Sequence, residues 1–190
     1  MQSEPELSAS RAEQGDSSGL RVRVAVSDAA KVSAETGIPV LDHLLELLAR
    51  YAALDLTLEV EPGQASAEAA AAGSALGEEL RPQLRAEGVR GYGSASVPAG
   101  EALAHVALEV SDDGLFVSNV DLSEARVGGL AADVIGDFLR SLAAGAGITL
   151  HVRLLEGDDP EHVLDAIFKS VGVAVAAAVR RRQATRGAGS

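Results

Sequence analysis

Four histidines, His43, His105, His151 and His162, are the chain's only side-chain imidazoles, and with no cysteine it offers no thiolate for metal binding or nucleophilic attack. The densest grouping of ligand types is Glu161, His162 and Asp165, spaced E-H-x-x-D after Pro160. Positions i and i+3 of a helix share a face, so His162 and Asp165 could converge on one cation such as Mn or Zn. The same residues also make an ordinary helix start, with proline at the first position and acids in the first turn. His43 stands between Asp42 and Glu46 in a leucine-rich stretch, where it either packs or binds. His151 falls in a strand pattern, where bonding to neighbouring backbone is its plain role. His105 reads as a solvent-facing strand residue.

These side chains must be held by a core, and 190 residues, 47% of them hydrophobic, suffice for one domain or two small ones. The formal charge of −12 disfavours nucleic acid as a partner. Arg180, Arg181, Arg182 and Arg186 follow a predicted helix, where they either complement its dipole or attract an anion. No uncharged apolar run reaches the roughly 18 residues of a membrane span, and the acidic, polar start is unlike a secretory signal. The expectation is a cytoplasmic protein without a membrane partner.

Apolar and polar residues alternate over 20–28 and 102–112, predicting half-buried strands. Helical spacing marks 42–51 and 133–144, apolar strands follow at 54–63 and 148–157, and long helices are predicted over 67–84 and 161–180. Gly77 and Gly172 occupy equivalent places in the long helices. The order repeats at about half the chain, the pattern of an internal duplication. The chain therefore reads as α+β with two similar sheet-and-helix halves: a tail over 1–19, a first half over 20–95, a second over 96–182 and a tail over 183–190.

Several segments carry a family resemblance. TGIPVLDHLLELLARYAALDLTLEV, at 36–60, resembles the signature TG-I-x-F-x-DHML-x-QLA-x-H followed by FDL-x-V of imidazoleglycerol-phosphate dehydratases. GVRGYGSASVPAGEALAHVALEVSD resembles GI-x-RYG-x-A-x-VPMDEALA-x-VA-x-DLS, while TLHV and GDDPEHVLDAIFK are similar to LHI and G-x-N-x-HH-x-x-EA-x-FK. The resemblance implies a duplicated subunit of the ribosomal protein S5 domain 2-like fold, trimers, and a hollow 24-subunit particle with paired manganese ions. It also implies removal of water from imidazoleglycerol phosphate, with the metals stabilising developing charge on the imidazole.

Carried over residue by residue, the resemblance places His43, His151, His162 and Asp165 at ligand positions, with Glu161 where a histidine belongs. The first HH-x-x-E motif is missing: Ser66, Ala67 and Ala70 stand in its place. Lys169, and Thr185, Arg186 and Gly187 in the tail, match substrate-handling positions. Arg90 adjoins Gly91, which replaces the arginine of RYG, and Glu101 survives beside Gly100, which replaces an aspartate. Ser111, Asp112, Asp113 and Gly114 replace SGRP, putting acids where an arginine would pair with phosphate. Losing several direct ligands should abolish the parent metal site. The expectation is a catalytically silent homologue serving as a structural or regulatory subunit, with no cofactor beyond weak Mn or Zn. Its expected partners are copies of itself, as a trimer or 24-subunit particle, or a genuine dehydratase. An active dehydratase with a rearranged site and a small-molecule binding module in the old pocket are the rivals.

Overall fold

The computed structural model describes residues 20–26, 30–61, 63–121 and 123–182. In the first half β1 (Arg21–Val26), β2 (Val32–Glu35), α1 (Pro39–Ala52), β3 (Leu54–Glu59) and α2 (Ala65–Leu84) follow one another. The second contains β4 (Tyr92–Ala99), β5 (Ala102–Val110), β6 (Leu115–Ser118), a small hairpin of β7 (Arg126–Val127) and β8 (Leu130–Ala131), α3 (Asp133–Ala146), β9 (Ile148–Glu156) and α4 (Pro160–Val179). The duplication is plain in the pairing. β1 runs antiparallel and β2 parallel to β3, in the order β1-β3-β2; β5 and β6 relate to β9 in the same way, in the order β4-β5-β9-β6. The division at 95/96 falls inside β4, whose pairing with β5 makes it part of the second sheet.

Alternation buries one face of each sheet. Leu54, Leu56 and Leu58 of β3, and Ala104, Val106, Leu150 and Val152 of β5 and β9, point inward, while Thr57, His151 and Arg153 point out. The helices cover the inward faces and pack on each other, forming a layer between the sheets. They do so across the halves. Gly77 brings α2 so close to α3 that a Cβ would lie 2.5 Å from the Ala146 nitrogen, and Gly172 brings α4 equally close to the Leu48 carbonyl of α1. Phe138 and Phe168 stack at 5.7 Å and join α3 to α4.

Helix ends depart modestly from the sequence reading. α1 begins at Pro39, not Asp42, because proline suits the first helical position, leaving Asp42 to hold the approach through Thr36 N and Oγ1 at 2.8 and 2.6 Å. α4 is long and apolar enough to cross a membrane, but its apolar length is largely buried against α1, β4 and β5. Both tails, with Arg186, lie outside the described residues.

Candidate functional site

The α1–α4 contact brings two of the ligand-type residues together. His43, in the second turn of α1, places Nε2 3.1 Å from Asp165 Oδ1 on α4. The pair lines a cleft of about 230 Å³ with Glu161, one helical turn before Asp165. The β7–β8 hairpin closes one side, where Gly128 adopts φ +55° and a Cβ would stand 2.7 Å from Val40. His43 is half exposed, whereas Asp165 is mostly covered.

His162, the third member of E-H-x-x-D, does not line this cleft with Glu161 and Asp165. Glu161 and Asp165 are four residues apart and share a helix face, whereas His162 turns aside. Its Nδ1 bonds Glu101 Oε2 on the β4–β5 turn. Glu101 Oε1 accepts the Asp159 amide at 3.0 Å, and Asp159 in turn caps α4 by accepting from the amides of Glu161 and His162. The bond from the Asp159 amide, followed by that from the His162 ring, lowers the Glu101 pKa to about 2. Glu101 correspondingly raises that of His162. Gly100 makes room for the pair: its φ is +53°, and a Cβ would run into the His162 imidazole.

His151 sits elsewhere. It is on the outer face of the second sheet, between Ala107 of β5 and Val117 of β6, in a groove of about 340 Å³ with Tyr92, Glu109 and Thr149. The sheet separates it from His43 and Asp165. His105 faces the same side and bonds Ser96 Oγ at 2.8 Å across β4 and β5. Lys169 is partly buried one turn beyond Asp165. Arg90 is placed at the head of β4, where its guanidinium covers the Tyr92 ring at 4.8 Å and lowers the tyrosine pKa.

Ser66 and Ala67, which the resemblance sets at the first motif, face solvent in the opening turn of α2, and the neighbouring Glu68 turns inward to accept the Gly63 amide. Among the described residues, no group of three or more His, Asp or Glu side chains surrounds a point where a metal could sit. The donors of one chain therefore do not fit a pair of ions. Sequence reasoning also missed Arg81, which donates to the Gly145 and Ala144 carbonyls at the end of α3, and Arg85, which donates to the Ser111 carbonyl and lies 3.7 Å from Asp112. Only the arginine-bearing face of α2 hinted at these contacts.

Comparison with known proteins agrees with this architecture. The family profile described as imidazoleglycerol-phosphate dehydratase matches residues 36–175. The imidazoleglycerol-phosphate dehydratase of Desulfitobacterium hafniense is 35% identical over 175 residues, covering 88% of each chain. That of Clostridium botulinum (strain Kyoto) is 35% identical over 162 residues, covering 83% of this chain and 82% of its own. Two solved structures share the fold at 25% identity. The Staphylococcus aureus dehydratase superposes with TM-score 0.79, covering 86% of this chain and 94% of its own. The Pyrococcus furiosus enzyme in complex with (S)-C348 gives 0.77, covering 89% and 93%. With the profile spanning most of the described residues and the duplicated halves matching in three dimensions, this chain belongs to the imidazoleglycerol-phosphate dehydratase family.

Proposed function

We propose that this chain keeps the family scaffold without its two-metal dehydration chemistry and acts as a structural or regulatory subunit, with histidine biosynthesis in the cytoplasm as its setting. One feature carries the reading: by the resemblance, Ser66, Ala67 and Ala70 stand where a whole ligand motif would, in a helix start where Glu68 accepts the Gly63 amide. No histidine lies between His43 and His105 to replace those donors.

The names of the relatives favour a second reading, an ordinary dehydratase, because 35% identity extends over 88% of the chain and His43, His151 and His162 persist. Assay with imidazoleglycerol phosphate and added manganese separates the two. The silent reading expects at most a trace rate, and turnover within about tenfold of the common enzyme range near 10 per second would overturn it. Elemental analysis after extensive dialysis should find substoichiometric metal; two equivalents of manganese or zinc per chain would mean that a complete site forms between copies. Copurification with a genuine dehydratase would support the regulatory role.

A further inference from the structure

A cleft of about 410 Å³, larger than either described above, lies across Leu164 from the His43–Asp165 pair. Its apolar wall is formed by Phe116 of β6, Ile135 of α3, and Leu164 and Ile167 of α4. This volume is in the range of small-molecule sites, and a predominantly apolar wall with a few polar groups is their usual composition.

One residue leaves part of the cleft open. Five glycines occur inside the helices, and four have an evident packing reason: at Gly73, Gly77, Gly145 and Gly172 a Cβ would collide with the backbone of a neighbouring helix. Gly136, in α3, is different. It has ordinary helical backbone, and no atom lies within 4 Å of its Cβ position. A helix interior disfavours glycine, so neither backbone conformation nor close packing accounts for it. What the missing side chain does is leave space, because Gly136 lines the cleft.

The rim sets the chemistry. Arg140 is its cation, paired at the surface with Asp137 at 2.8 Å. Asp121 accepts from the Ser123 amide and hydroxyl through Oδ1, which lowers its pKa, and among the described residues Oδ2 has no hydrogen-bond partner. Asp133 stands exposed at the start of α3. Two carboxylates thus border an apolar wall against one cation, Arg140, which is paired with Asp137. We propose that this cleft binds a small molecule with an apolar or aromatic body and a protonated amine, the body resting in the space beside Gly136 and the amine meeting Asp133 and Asp121. The site is independent of dehydration, since none of these residues occupies a family ligand position.

The test titrates the full-length protein with phenethylamine and with its neutral analogue 2-phenylethanol, following methyl resonances of Ile135, Leu164 and Ile167. Saturable shifts with phenethylamine are expected at millimolar concentration, with binding of the alcohol weaker by roughly tenfold. D133N should remove that preference. G136L should abolish binding of both while melting cooperatively, and G136A, a smaller intrusion, should weaken it if the leucine variant fails to fold. Absence of saturation, equal affinity for amine and alcohol, or binding undiminished in a folded Gly136 variant would each overturn the proposal.

Discussion

Glu101 ties the β4–β5 turn to the start of α4 with one carboxylate, accepting the Asp159 amide on one oxygen and the His162 ring on the other. This arrangement has a pH signature. The Glu101 pKa falls from 4.5 to about 2 on folding, so its contribution is present above about pH 4.5 and is lost as the pH drops toward 2. The His162 pKa is raised from 6.5, so its contribution is complete below that value and is lost as the pH rises through the folded one. The two overlap between 4.5 and 6.5. E101Q should therefore lower stability most in that window and progressively less above it, as read by denaturant titration across pH 4 to 9. A deficit that does not vary with pH would dissociate the pair's ionisation from its structural role.

At the scale of elements, glycines of opposite kinds make paired predictions. G77A places a methyl group against the Ala146 nitrogen and Leu142 carbonyl of α3, both at 2.5 Å, and G172A meets the Leu48 carbonyl of α1. Each should destabilise by about 1 to 3 kcal/mol, the usual cost of overpacking, which outweighs the better helix propensity of alanine. G136A, with open space at its Cβ, should instead stabilise by about 0.5 to 1 kcal/mol. Thermal melts of the three variants check this; stabilisation by G77A would mean that the α2–α3 contact is looser than described. The sequence alone revealed the four helices and strands β1, β3, β5 and β9, because the alternation in ALAHVALEV and the spacing of Val134, Phe138 and Leu142 are local signals, but not the shorter or edge strands β2, β4, β6, β7 and β8. It also paired Gly77 with Gly172. It did not reveal that each long helix crosses to the other half, nor that Glu101 captures His162, because both depend on contacts between segments far apart in the chain. The resemblance placed His43 and Asp165 in one ligand set, and the fold does bring them within 3.1 Å, but the same set's His151 lies behind a sheet.

Over the whole molecule, the outer sheet faces differ. That of the first sheet carries Arg21, Arg23, Asp55 and Glu59, whereas Tyr92, Leu115 and Leu155 are each more than half exposed on the second sheet. A second copy packing on this face would cover these side chains. The expected state is a homotrimer, in preference to the 24-subunit shell that the resemblance also implies. Light scattering at several concentrations tests this: a stable monomer would overturn it, a metal-free large particle would show that protein contacts suffice, and L155E should shift the equilibrium toward smaller species. The crossing of the long helices also constrains how the chain is made. α2 ends at Leu84 and its partner α3 starts at Asp133, so a ribosome adding about 5 to 20 residues per second exposes the apolar side of α2 for several seconds before that partner exists. α1 waits longer, until α4 emerges from Pro160 onward. No prefix of the nascent chain closes its own core, so a transcript truncated before α4 would yield a product for proteases and chaperones, not half of a working protein.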